Sequence, residues 1–573
     1  MFAGGDGSTL SLDFTTMSGL DSRFTFTRAS TATFINSSGL VQFANANLMT
    51  YSNPRQTGTA WGTVGTVTWG SSTLTDPTGG SNAQSVTFGT AASAMFNTSG
   101  TTVVSGITHT FSVWLRSATG TTTVRIGDAN VAPVATVTLT TTWQRFSCQY
   151  TTSGTNDGGA IYSQTGTPSA EFYVWGAQVQ PGAVVGDLIE TSGTIDRNVP
   201  RFDHDPTTLA PRGLLLEGSA TNLLCWSETF ATSGGATNWF YNLNTVSSES
   251  ETNPAGGATS IQFRETGGSG PLGQNVSAPS TALYTFSVWV RGSVYNGVTT
   301  TQCRLAMFDG SVYVTISISK LSGPGSVSGT QFGSVTGLSL TEWTRVQITT
   351  AATFTAGATF GPRIFSGSTA LETDASVLVW GAQLEVGSGA SSYIPTGAGT
   401  VQRAADVCNM TGTNFSSWFV DGSPYSMLFK YSMNNPSAWA GTNVDRGVGL
   451  LSNNFNNPRM FINAAYRVVS GSAAIGRFVR VYDSGTLDMP TAPDPLASAN
   501  NVALAFAVNT NDSAVYGSNQ IIGTDSSNTL LTGYNQFAIG RTGGSTQHIN
   551  GCISLIKYWP QRLPNATLQG LVA

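Results

Sequence analysis

Three groups of residues in this chain could do chemistry. The first is Asp203-His204-Asp205, because a histidine between carboxylates can be tuned as a base or can bind a cation. The three are consecutive, however, so in extended chain both carboxylates face away from the imidazole. Pro206 follows and favours a bend, so a structural turn is the simpler reading. The second group is the glutamates. Glycoside hydrolysis needs two carboxylates roughly 5–10 Å apart across a cleft, whereas Glu190, Glu217, Glu228, Glu342 and Glu385 are scattered singly along with the others. The histidines His109, His204 and His548 lie in no nucleophile-elbow or HExxH context. No catalytic residue can be named, and no enzyme activity is expected. The third group is the tryptophans at 114, 143, 175, 289, 343 and 380. Exposed aromatic rings can stack on the C–H faces of pyranoses. Trp114 alternates onto one strand face with Arg116, and Trp289 with Arg291, while Phe111, Val113 and Leu115 point the other way. Core or sheet-face packing explains matched tryptophans more simply. Trp114, Arg116, Trp289 and Arg291 are nevertheless the residues from which glycan contact is expected.

The elements that must position these tryptophans are used twice. Asn47-Leu-Met-Thr-Tyr-Ser52 matches Asn222-Leu-Leu-Cys-Trp-Ser227, and Thr110-Phe-Ser-Val-Trp114 matches Thr285-Phe-Ser-Val-Trp289, both at an offset of 175. Trp143 and Trp343 stand 200 apart, and Trp175 and Trp380 stand 205 apart, so the second copy carries insertions that belong in loops. A repeat of this length is a duplicated domain, not a solenoid unit. Before the first copy, Leu10-Ser-Leu-Asp-Phe14 and Arg23-Phe-Thr-Phe-Thr-Arg28 alternate as short strands. Two strands alone are too few to stand free. The segment 1–46 must therefore pack on another module, another subunit or a socket in a larger assembly, and it is expected to be an attachment element. After the second copy, Tyr425–Tyr431, Val502–Val508 and His548–Tyr558 read as strands of a third module.

Composition bounds the rest. The chain has 573 residues, enough for several cores, and only 10% are charged against about 25% in ordinary soluble domains. Abundant Gly, Thr and aromatic residues favour pleated surfaces and turns, giving an all-β expectation. So little charge suits a protein locked into an assembly. A net charge of −5 without basic runs speaks against nucleic acid. No apolar run reaches about 18 residues, so no membrane insertion is expected. Met1–Asp6 lacks the charged and apolar parts of a signal peptide, so synthesis in a cytoplasm and release by lysis are expected. Five widely spaced cysteines form neither a disulfide framework nor a CxxC site, and they read as buried thiols.

The runs Arg201-Phe-Asp-His-Asp-Pro206, Arg212-Gly-Leu-Leu-Leu-Glu217 and Thr221–Ser227, with Phe26-Thr-Arg-Ala-Ser30 upstream, resemble a pattern of tailed-bacteriophage virion proteins: fibres, spikes and head appendages. Both copies resemble carbohydrate-binding-module jelly rolls, and 404–573 resembles a concanavalin A-like (laminin-G-like) sandwich ending in a short helix. The resemblance implies tandem jelly-roll β-sandwiches followed by a concanavalin A-like sandwich. The parts are an attachment segment 1–46, jelly rolls 47–200 and 222–403, a connector 201–221, and the final domain 404–573. It implies a virion structural protein, a homotrimer, that joins other virion proteins through its N-terminal segment and adheres to host surface glycans. A purely architectural decoration protein is the alternative, and a polysaccharide depolymerase a further one. No cofactor is implied. Calcium is common in the resembling folds, but the loop Gly154–Gly158 offers it only Asp157 and reads as an ordinary turn. Phe455 and Asn456, in the amide-rich stretch Asn453–Arg459, are the distal candidates for sugar contact, although an Asn-rich turn is the simpler reading there.

Overall fold

The computed structural model describes the chain except for residues 1–5, 55–60, 90–91, 98–105, 131–132, 153–157, 165–166, 231–238, 242–244, 250, 258–259, 266–269, 368–371, 373, 434–443, 454–455, 470–471, 483–485, 490–501, 518–519, 528 and 542–547. Regular structure is almost wholly antiparallel β, and the helices among the described residues are two short ones, Thr413–Ser416 and Asn565–Leu571. Neither is long or apolar enough to cross a membrane. The chain forms two compact units, one made of 43–199 with 395–401, the other of 1–42, 200–394 and 402–573.

The first unit is a sandwich of two five-stranded sheets. Its tryptophan-bearing sheet runs Gln144–Thr151, Thr108–Ser117, Phe172–Pro181, Gln84–Phe88, Val67–Trp69. Alternation sends Phe111, Val113 and Leu115 inward against Val124, Ile126 and Ile161 of the other sheet, all fully buried. The opposite row, with Trp114 and Arg116, is left on the outer face.

The second unit holds the second copy, with the same wiring. Thr344–Thr350, Tyr284–Tyr295 and Ser376–Val386 are neighbours in one sheet, as their counterparts are in the first copy. Trp114 is paired across strands with Arg145 and Trp175, and Trp289 with Arg345 and Trp380. Both sheets bulge beside that row, at Gly176 (φ +61°) and Gly381 (φ +66°). Glycine is needed there twice over. The backbone is left-handed, and a Cβ would stand 3.1 Å from Trp114 Cδ1 or 2.7 Å from Trp289 Cε3. The repeated opening asparagine also has a physical job. Asn47 Nδ2 donates to the carbonyls of Ala177 and Ile189, and Asn222 Nδ2 to those of Ala382 and Ile394, tying entry, bulge and exit strands together.

The third module is a sandwich within the second unit, and of the three expected partner surfaces for the N-terminal segment it is the one observed, a module of the same chain. Leu10–Asp13 pairs with Gly551–Trp559, and Thr25–Thr27 pairs with Val407–Thr411. Leu10, Leu12, Phe14, Phe24 and Phe26 are buried in its core. The two strands do need a partner surface, and their own chain supplies it from 380 or more residues away. A free-standing attachment element therefore no longer follows from unpaired strands. The connector is corrected in the same way. Arg201–His204 and Pro211–Leu216 form a hairpin that extends the same sheet, with Leu214–Leu216 paired to Gly551–Ile553. The bend begins at Asp205, the last residue of the Asp-His-Asp run, and spans residues 205–210, while Asp203 and His204 lie in the strand. The closing helix stands where expected, and its Leu568 is buried in a cluster with Leu428, Tyr516 and Trp559.

One difference between the copies is a buried carboxyl. Glu385 stands where the first copy has Gln180, accepting hydrogen bonds from Ser391 N (2.8 Å) and Ser391 Oγ (3.0 Å) as well as from Gln383. Burial pushes its carboxyl up to about 7, against the pull of those hydrogen bonds. A raised folded-state carboxyl favours the native state only while protonated, so the site loses stability as pH climbs from the ordinary carboxylate range through 7. E385Q, which installs the first copy's amide, is expected to raise the melting temperature at pH 8, by about 2–4 °C for each kcal/mol relieved. It should change little at pH 4. Calorimetry at the two pH values checks this, and an equal shift at both would contradict it.

Candidate functional site

The structure separates the residues nominated by the sequence. On the outer face of the first sandwich, Arg116 and Tyr173 are cross-strand neighbours. The Arg116 guanidinium lies 4.5 Å from the Tyr173 ring centroid and 5.7 Å from that of Trp143, at cation–π distance from both. All three side chains, and Trp114 in the next row, are partly exposed. Arg116 Nη1 donates to the Thr141 carbonyl at 3.1 Å, and no carboxylate among the described residues pairs with it. Arg145, in the Trp114 row, is spent on structure: it donates to Ser112 Oγ and to the Gly186 carbonyl. The face therefore presents aromatic ring surface around one guanidinium. Such a surface can stack on sugar C–H faces and donate to sugar oxygens.

The second copy does not present this face. Trp289 is 4% exposed, enclosed by Trp380, Tyr393 and Val41. Ring centroids of Trp289 lie 5.2 Å from Trp380 and 5.3 Å from Tyr393, and Arg345 covers it at 4.3 Å. Arg291 is buried in an ion pair with Glu251 at 2.7 Å. The expectation of glycan contact at Trp289 and Arg291 is thus corrected. Trp289, Arg345 and Trp380 match Trp114, Arg145 and Trp175, but Leu378 stands beside Arg291 where Tyr173 stands beside Arg116, and the N-terminal segment (through Val41) and the exit strand (through Tyr393) lie over Trp289. Phe455 lies outside the described residues, and Asn456 opens the strand Asn456–Val469, its backbone opposite Asn453. Gly154–Asp157 of the calcium candidate loop also lies outside them. No group of three metal-binding side chains occurs among the described residues.

The Asp-His-Asp run builds neither a base nor a metal site. Asp203 is buried, accepting from Ile35 N at 2.8 Å and from Arg212 at 3.2 Å. His204 alternates to the other side of the strand, and Asp205 accepts from the amides of Thr207 and Thr208 in the turn. Four of the five cysteines are buried, and burial raises the Cys148 and Cys303 thiols to about 12, which keeps them protonated and unreactive.

Sequence reasoning missed a buried polar cluster around Arg201. Arg201 is fully buried. Its Nη1 donates to Thr33 O (2.8 Å), Glu217 Oε2 (2.8 Å) and Ser392 Oγ (2.9 Å), and its Nη2 donates to Asp406 Oδ2 (2.6 Å). Arg28 pairs with the other Asp406 oxygen at 3.2 Å, and Arg403 lies 3.6 Å from Glu217. Ser392 returns two hydrogen bonds to Glu217. One cluster thus ties the N-terminal segment, the hairpin, the exit of the second sandwich and the entry of the third. It is closed to solvent and is structural.

No family model and no curated protein sequence matches the chain. Among solved structures, it is similar to domain 4 of AbnA, a GH43 extracellular arabinanase from Geobacillus stearothermophilus in complex with arabinotriose, at 13% identity and TM-score 0.23, covering 32% of this chain and 82% of that one. It is also similar to the CBM22-1–CBM22-2 tandem domain of Xyn10C from Paenibacillus barcinonensis, at 10% identity and TM-score 0.21, covering 63% of this chain and all of that one. A third likeness is to Trypanosoma rangeli sialidase in complex with the inhibitor DANA, at 8% identity and TM-score 0.21, covering 96% and 98%. At such scores none of the three bears on mechanism.

Proposed function

We propose that this protein is an adhesive structural component of a tailed-phage virion, a fibre, spike or head appendage, that holds host surface glycans on the outer face of its first sandwich. The virion part rests on the motif resemblance of the Arg201–Ser227 and Phe26–Ser30 runs. The binding part rests on one observation, the partly exposed Arg116 flanked by the rings of Trp143 and Tyr173. A single such site is weak, and a homotrimer would multiply it through effective concentration. Light scattering that finds a monomer at micromolar concentration would remove the trimer from the reading.

A glycan array probed with the full chain tests the binding part. W143A is expected to weaken the best signal about tenfold, equivalent to about 1.4 kcal/mol, the upper end of what one aromatic contact contributes. An array without any signal, or one unmoved by W143A, would contradict it. The architectural alternative has one observation in its favour, the sealed face over Trp289. The proposal assigns no catalytic step to the chain, and release of reducing ends from a bound polysaccharide would overturn that.

A further inference from the structure

The ligand class can be narrowed by comparing the two copies, an inference that rests on the glycan-binding reading above. In the second sandwich Arg291 lies 5.4 Å over the Trp343 ring and donates from Nη2 to the Glu251 carboxylate at 2.7 Å. Glu251 reaches it from the loop that leads into Asn253-Pro-Ala-Gly-Gly257, held down by Trp343 Nε1 donating to the Thr252 carbonyl at 2.9 Å. The first sandwich has the same loop as Asp76-Pro-Thr-Gly-Gly80. Asp76 N donates to Gly80 O and Gly79 N to Asp76 O, as Asn253 N does to Gly257 O and Gly256 N to Asn253 O. Counting back two positions from each turn places Leu74 where the second copy has Glu251. Arg116 therefore shares the tryptophan neighbour, has Tyr173 where the second copy has Leu378, and lacks the carboxylate.

We propose that Arg116 seats the carboxylate of an acidic sugar, a hexuronate or a nonulosonate, between Trp143 and Tyr173, and that Glu251 is the built-in occupant of the corresponding seat in the second sandwich. A guanidinium held against two rings presents its fork already oriented, so less freedom is lost on pairing. Partial burial strengthens the pair relative to one in open water. The nearby acid Glu171 is exposed and turned toward Gly70, where a Cβ would stand 3.5 Å from its Oε1, so it leaves the seat open.

The test titrates the full chain with oligogalacturonate and with sialyllactose, each beside its methyl ester, which keeps the shape and removes the charge. One of the two acids is expected to bind at least tenfold more tightly than its ester. R116Q should lose that preference and R116K should keep part of it. L74E, which supplies the second copy's carboxylate, should depress acid binding and spare the ester, with an unchanged melting temperature showing that the sandwich is intact. If acid and ester bind alike, with W143A weakening both and R116Q neither, the acidic class is overturned while the glycan reading stands. If no acid, ester or neutral array glycan binds, both fall.

Discussion

R201M is expected to leave the second unit largely unfolded at 37 °C. Removing one partner of a buried ion pair costs about 3–5 kcal/mol, because the remaining charge stays in low dielectric. Arg201 serves two carboxylates at once, Glu217 and Asp406, both with fully buried side chains. The loss therefore falls at the top of that range, comparable with the whole stability of many domains, about 5–15 kcal/mol. Acid should attack the same cluster. Burial alone would raise the Glu217 carboxyl, but Arg403, Arg201 and the Ser392 hydrogen bonds outweigh it and hold it down at about 2. A depressed carboxyl stabilises the fold above its ordinary value of 4.5, and that contribution, on the order of 3 kcal/mol, fades as pH falls through 4.5 toward 2. Urea unfolding at pH 7 and pH 3 checks both statements. An R201M midpoint equal to wild type, or no acid loss of stability, would show that the cluster carries little.

Deleting residues 1–42 is expected to be as damaging. The deletion strips Leu10, Leu12, Phe14, Phe24 and Phe26 from the third module's core and Arg28 from the ion cluster. At roughly 1.5–3 kcal/mol for each large apolar side chain, the five alone approach the stability of a domain. The deletion also bares the edge of Leu555–Tyr558 and of Val407–Asn409, which become exposed strand edges prone to association. The truncated chain should be recovered as aggregate. A soluble product unfolding cooperatively at the wild-type midpoint would contradict this account. The surface pair Lys557–Asp6 is the control, since D6A should change stability by less than about 1 kcal/mol.

The fold was legible because local pattern and repetition both speak about strands. The Phe111/Val113/Leu115 alternation gave the inward face, and the Trp114/Trp289 offset gave the duplication, which the equal cross-strand partners of the two tryptophans bear out. What local pattern could not show is which strands meet. Leu10–Asp13 looked unpartnered because its neighbour, Gly551–Trp559, is almost a chain length away. The same blindness hid the ion cluster, whose members run from Arg28 to Asp406. A signal was present all the same: in a chain so poor in charge, the motif runs Phe26–Ser30, Arg201–Pro206 and Arg212–Glu217 each carry one of its members. At the candidate site, the Trp114 and Arg116 row was read correctly onto one face. The closure of the second copy was not readable, because Val41 and Tyr393 approach Trp289 from distant segments.

The proposed division of roles, a first sandwich that binds glycan and a duplicate that does not, is tested through the stoichiometry of a calorimetric titration of the full chain with the tightest array glycan. The account predicts one site per chain, abolished in the double variant W143A/Y173A at unchanged melting temperature. Two sites per chain, or a single site that survives the double variant, would contradict it.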